Sequence, residues 1–251
     1  MTLETWFQAH PNAAAACSGG TDSAFLLWAA KEYGCNVRAY YVKTAFQPRF
    51  EYEDALRLTE ELGVPMTVVE ADILAASGVA ENGPERCYFC KRELFTRLRE
   101  AARADGYTLL LDGTNASDDA GDRPGMRALE ELEVRSPLRE CVLTKEEVRR
   151  RSREAGLFTW NKPAYACLAT RIPTGTPIAR RDLERVEAAE SALTGLGFSD
   201  FRVRLFHGAA RIQITEEQVS RALELRPQLL AVCGREFDGV LLDLAPRAAS
   251  T

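Results

Sequence analysis

The chain predicts an α/β fold, a parallel sheet with helices on both faces, followed by a smaller α+β unit. Three observations predict it. Short apolar runs alternate with stretches of helical periodicity over the first 150 or so residues. Polar or glycine-containing loops follow two of those runs at their carboxyl ends, where open parallel sheets bind ligands. The sequence then turns Pro- and Gly-rich before a second set of strands and helices begins.

Taken in order, "NAAAAC" (Asn12–Cys17) reads as a buried strand feeding a turn at Ser-Gly-Gly. Helical periodicity runs from Asp22 to Gly34, whose glycine suits a helix C-terminus. A strand at Asn36–Val42, a helix at Glu51–Gly63 and a strand at Pro65–Asp72 follow. "CKRELFTRLREAARADG" continues as helix, and "YTLLLDGTN" as a strand opening into a polar loop, Asp112–Asp119. "TKEEVRRRSREAG" carries a Thr144/Glu147 capping box. "NKPAYACLATRIPTGTP" is a loop, and a boundary near Pro177 gives domains 1–177 and 178–251. The second domain reads as helix Asp182–Leu196, strands Phe201–Phe206 and Ala210–Ile214, helix Glu216–Leu225 and strand Gly239–Leu242.

Composition narrows the function classes. With 46% hydrophobic and 27% charged residues the chain is ordinary for a globular protein. A net charge of −5 offers no broad basic footprint for nucleic acid. No stretch approaches the length of a membrane span, and "MTLETWFQAHPNAAAACSGG" lacks the basic start of a signal peptide, so a cytoplasmic protein is expected. In a reducing compartment, seven cysteines do not argue for a disulfide framework. Cys17, Cys35, Cys141 and Cys233 are scattered singly and read as packing.

"SGGTDS" (Ser18–Ser23) is the sharpest signal. Two glycines let the backbone turn its N–H groups inward as an anion nest, which the next helix N-terminus extends; Ser18 and Ser23 add hydroxyls. It is neither a Walker A loop, whose lysine is missing, nor G-x-G-x-x-G. It resembles the PP-loop of the ATP pyrophosphatases, an adenine nucleotide alpha hydrolase-like fold. That resemblance implies ATP bound at Ser18, Gly19, Gly20, Thr21, Asp22, Ser23 and Gly113, and cleavage between the α- and β-phosphates. Mg²⁺ would bridge the phosphates, and Asp22 and Asp112, both at strand ends, are the carboxylate candidates.

The cysteines not read as packing are Cys87 and Cys90, a C-x-x-C in "ERCYFCK", and Cys167 in "KPAYACLATRIP". Lys162 and Arg171 near Cys167 are cations of the kind that favour a thiolate nucleophile. Together with the glycine loop, "RCYFCK", "LLLDGTNASD", "RPGMRALEELEVRSPL", "CLATRIPTGTPI", "VEAAESALTGLGF" and "FRVRLFHGAARIQI" resemble the LarE-type sulfur transferases over nearly the whole chain. The resemblance implies that ATP adenylates a carboxylate of a pyridinium biscarboxylate mononucleotide and that sulfur displaces AMP, in nickel-pincer cofactor synthesis. In one branch of the family the residue matched by Cys167 gives up its own sulfur; in the other, three cysteines matched by Cys87, Cys90 and Cys167 hold a 4Fe–4S cluster. Having all three, this chain matches the second branch. Thiolate chemistry agrees, with a redox pair and a zinc site as the alternatives for the C-x-x-C.

In the second domain, Arg202 and Arg204 share a strand face and suit a phosphate. The resemblance assigns them, with Glu190, to substrate binding; Lys91 and Arg171 join that set. Gln213 departs from the family, where an acidic residue stands. Family members also form homo-oligomers, so one is expected. A tRNA thiolase, an ammonia-using amide synthetase and a non-enzymatic iron–sulfur or nucleotide-sensing protein are the rival readings; the acidic composition disfavours the first.

Overall fold

The computed structural model describes residues 1–118 and 124–247. The chain forms two compact units: Met1–Val79 with Glu85–Lys162, and Ala80–Pro84 with Pro163–Thr251.

The first unit contains α1 (Leu3–Ala9), β1 (Asn12–Ala16), α2 (Thr21–Glu32), β2 (Asn36–Lys43), α3 (Arg49–Leu62), β3 (Met66–Glu70), α4 (Arg86–Ala104), β4 (Leu110–Leu111), α5 (Pro124–Glu131), α6 (Pro137–Glu140) and α7 (Lys145–Glu154). Its four strands lie in the order β3-β2-β1-β4 and all pair in parallel. Side chains alternate across the sheet. Ala13 and Ala15 enter a core with Trp6, Phe25 and Val148, so α1, α2 and α7 cover one face. Ala14 enters a second core with Tyr40, Leu98 and Leu129, where α4 and α5 cover the other. The expected α/β layering is therefore present.

The second unit contains α8 (Arg180–Gly195), β5 (Arg202–Phe206), β6 (Ala209–Gln213), α9 (Val219–Glu224), α10 (Arg226–Cys233) and β7 (Val240–Leu242). Strand β6 pairs antiparallel with β5 and parallel with β7. Helix α8 packs against β5, burying Val186, Leu193 and Val203.

Several elements differ from the sequence expectation. Helix α4 starts at Arg86 rather than Cys90, so the C-x-x-C is helical and both cysteines lie in its first turns. The capping box is half formed: Thr144 accepts from the Glu147 N–H, but the Glu147 carboxylate turns to Arg150 and Arg151. The predicted helix Glu216–Leu225 is a 3-10 turn, Glu216–Gln218, followed by α9, with α10 beyond it. Of the Asp112–Asp119 loop, Asp119 lies outside the described residues, as does Arg123 of "RPGMRALEELEVRSPL". The first unit ends after Lys162 rather than at Pro177, so Cys167 goes with the second unit. The reason is polar anchoring within that unit. The buried Asn82 amide donates to the carbonyls of Pro173 (2.9 Å) and Thr176 (3.0 Å), while the Asn82 carbonyl accepts from Gly175. Arg202 and Arg204 hold the carbonyls of Ala164 and Thr170.

Candidate functional site

In the first unit the glycine loop leaves the carboxyl end of β1 and enters α2. Gly19 has φ +73°, and a Cβ there would stand 2.5 Å from the Glu51 carbonyl oxygen of α3. Only glycine fits both the left-handed backbone and that close approach. Gly20 is the N-cap of α2 and offers no side chain, leaving the first-turn N–H groups without a side-chain cap. An uncapped helix start attracts anions. Ser18 and Ser23 join through their hydroxyls at 3.1 Å, and the Ser18 N–H donates to Ser23 Oγ at 3.2 Å, which closes the turn. The Thr21 hydroxyl is turned inward, donating to the Thr159 carbonyl at 2.7 Å, so Thr21 has its backbone to offer a ligand. Burial pushes the Cys17 thiol just below the loop up to about 11, a packing cysteine as expected.

The loop after β4 closes on the same place. A Cβ on Gly113 would lie 2.9 Å from the Ser23 nitrogen and 3.1 Å from the Asp22 carbonyl carbon, so glycine lets the two loops touch. Asn115 donates to Asp22 at 3.3 Å and Lys145, the first residue of α7, pairs with the same carboxylate. On the other flank Lys162 donates to the Gly19 carbonyl at 2.8 Å and pairs with Asp54 of α3. Sequence reasoning missed Lys145, Asn115 and Asp54, and placed Lys162 only beside Cys167.

Asp112 is buried, and its two oxygens accept from the Ser136 hydroxyl (2.6 Å) and the Thr114 hydroxyl. Burial raises its pKa against those hydrogen bonds and against the charge of Lys91. So placed, Asp112 is held by two hydroxyls at the carboxyl end of β4. Lys91 reaches this region by crossing Gly125, where a Cβ would meet its Cδ at 2.8 Å. It is therefore packed between α4 and α5 rather than free on a helix surface.

Cys87 and Cys90 stand three residues apart on α4, one face of a helix. Cys87 is exposed, Cys90 half-buried, and an Arg86 guanidinium nitrogen lies 3.6 Å from the Cys87 sulfur. Phe89, between them, packs on Gly78, where a Cβ would sit 2.5 Å from its ring. Among the described residues no group of three or more His, Cys, Asp or Glu side chains stands ready for a metal ion. The structure thus brings two of the three expected thiols onto one helix face, and the third belongs to the second unit.

In that unit Cys167 is the N-cap of a 3-10 turn, Leu168–Arg171, within electrostatic reach of Arg171. Arg171 itself is 1% exposed and paired with Glu190 (2.7 Å). Glu190 accepts from Arg171, from the Val203 N–H (2.8 Å) and from the Tyr165 hydroxyl (2.5 Å). Both oxygens are occupied by the protein's own donors, so this pair holds the Cys167 turn against α8 and β5. Arg202 is also buried; burial, with Arg171 and Arg247 close by, lowers its pKa to about 10. Arg204, lowered by burial and by Arg171, donates to Gln213 (2.6 Å) and the Thr170 carbonyl (2.6 Å). Gln213 in turn donates to Asp243 at 2.8 Å, which supplies an acidic group one step beyond the position where the family pattern was broken.

The fold and loop define the class: a Rossmann-like α/β unit with a glycine loop at the carboxyl edge of a parallel sheet, joined to a small α+β unit. No family model matches the chain. It is 34% identical over 206 residues to the pyridinium-3,5-bisthiocarboxylic acid mononucleotide synthase of Lactiplantibacillus plantarum, covering 81% of this chain and 75% of that protein. An uncharacterised Synechocystis protein is 37% identical over 88% of this chain and 83% of its own length. One from Methanocaldococcus jannaschii is 28% identical over 86% and 82%. The chain belongs to the LarE family, that of the Lactiplantibacillus synthase. Among the described residues no helix is long and apolar enough to cross a membrane.

Proposed function

We propose that this chain is an ATP-dependent sulfur transferase that adenylates a carboxylate of pyridinium-3,5-biscarboxylate mononucleotide and replaces AMP with sulfur, giving a thiocarboxylate for nickel-pincer cofactor synthesis. The observation that carries the reading is the 34% identity to a synthase of the bisthiocarboxylic mononucleotide, spread over most of both chains. The glycine loop supports the ATP half: its uncapped N–H groups suit a departing pyrophosphate, whose charge they stabilise without reorganising. Asp22 and Asp112 are the carboxylates for Mg²⁺ arriving with ATP, and Asp22 would exchange its pairing with Lys145 for the metal. Arg202 and Arg204 carry the charge for a substrate phosphate in the second unit, positioned by backbone carbonyls and, for Arg204, by Gln213. Glu190 and Arg171 act on the site by fixing the turn that carries Cys167.

The sulfur source follows from the cysteines. Two thiols on one helix face, reachable from solvent and free of disulfides, would serve as two ligands of a 4Fe–4S cluster, for which the family resemblance implies Cys167 as the third. When bound, such a cluster supplies the sulfur that takes the place of AMP. Cys87 and Cys90 would hold it from α4, with the Arg86 guanidinium beside Cys87 to offset the negative charge of the ligated thiolates.

Anaerobic reconstitution with iron and sulfide tests this, with iron counting and visible absorption on wild type and Cys90→Ala. About four irons per chain and a broad charge-transfer band, both lost in the variant, are expected. A wild type that binds no iron and instead loses the mass of H₂S during turnover would sink the cluster and make Cys167 the donor.

A further inference from the structure

The flanks of the glycine loop hold an arrangement that the sequence does not advertise. The loop's N–H groups and the start of α2 favour an anion, yet a carboxylate, Asp54, stands directly against it: its Cβ lies 3.4 Å from where a Gly19 side chain would begin. Unscreened, that charge would repel any phosphate. It is screened by Lys162, whose ammonium contacts Asp54 and the Gly19 carbonyl together. An ammonium has three donors, so one is left for a ligand. The two side chains are 22% and 27% exposed, open enough to exchange partners and sheltered enough for the pairing to matter. No lysine stands within the loop itself, unlike a Walker loop.

We infer that Lys162 is the cation that receives the triphosphate, and that Asp54 is a built-in competitor that holds Lys162 until nucleotide displaces it. The inference rests on the reading of the loop as an ATP site and deepens it. ATP binding then exchanges a lysine–carboxylate pair for a lysine–phosphate pair, and the observed affinity is the difference between the two. Asp54 is a positioning residue in this scheme, acting on nucleotide only through Lys162.

The test is calorimetric titration of ATP, with and without Mg²⁺ at one ionic strength, into wild type, Asp54→Asn, Lys162→Met and the double variant, each checked by thermal melting. Lys162→Met is expected to weaken binding about tenfold or more, the scale of a lost charge-assisted hydrogen bond. Asp54→Asn is expected to bind ATP several-fold tighter, a gain that damage to the fold does not produce. In the double variant the Asp54 effect should vanish. Asp54→Asn binding that is unchanged or weaker, including a weakening confined to Mg²⁺, overturns the inference. So does an Asp54 effect that persists without Lys162. Should wild type itself fail to bind ATP, the underlying nucleotide reading falls too; should wild type bind and the variants match it, only the role of Lys162 and Asp54 falls.

Discussion

The glycine loop of the first unit and the arginine cluster of the second both concentrate charged side chains, and they do so in opposite ways. At the glycine loop the cations are lysines, partly exposed, each pairing with a single carboxylate: Lys145 with Asp22 and Lys162 with Asp54. In the second unit the cations are arginines, buried or half-buried, with guanidinium groups spread over carbonyls, Gln213 and Glu190. A lysine is a point charge on a flexible stem, whereas the arginine fork holds a fixed geometry. The first arrangement is built to exchange partners, the second to keep them.

The comparison breaks first at Glu190. If the arginine cluster is fixed scaffolding, Glu190→Gln leaves the Arg171 charge buried and uncompensated, and the protein should lose about 3–5 kcal/mol in denaturant unfolding. A loss below about 1 kcal/mol would show that the second unit repacks as readily as the first. Next in size is Gly19→Ala. Its left-handed backbone and the 2.5 Å approach to Glu51 predict a cost of about 1–3 kcal/mol, with nucleotide binding falling further than stability does. Unchanged binding would remove the loop from the site. The smallest effect sharpens the contrast, because Arg135 and Glu140 make the same kind of ion pair near the surface of the first unit. The hydrogen bond from Arg135 holds Glu140 below its ordinary value of 4.5. A depressed carboxyl contributes stability above that value and loses it as pH falls through the lowered one. Glu140→Gln should therefore cost a small amount of stability at neutral pH and converge with wild type as the pH falls through the lowered value, flattening the acid limb of the stability profile.

What was legible in the sequence was local. The turn at Ser18–Ser23 needs its glycines within a few residues of one another, and the strand–helix alternation repeats at short range, so both could be read along the chain. The partners of the loop could not. Asp54, Lys145 and Lys162 reach it from α3, α7 and the end of the first unit, and nothing in their immediate sequence sets them apart. Glu190 and Arg171 stand out in the sequence as charges, but their burial and their pairing with each other appear only in the fold. Among the helices missed, α5, α6 and α10 are short and carry Pro124, Pro137 and Pro227 in their first turns, where proline is tolerated although it reads as a breaker; α1 is only seven residues long.

Asn82 bears on how the chain can be dissected. Residues Ala80–Pro84 leave the first unit, join the second through the Asn82 amide, and return at Glu85. The backbone therefore crosses between the units at three points, after Val79, Pro84 and Lys162, rather than at one. A single proteolytic nick near Lys162 leaves them tethered twice over. A truncation ending there strips Asn82 of its acceptors, and a fusion that transplants residues 163–251 alone arrives without the five-residue segment that anchors its first loop. The two units are therefore poor candidates for transplanting one at a time.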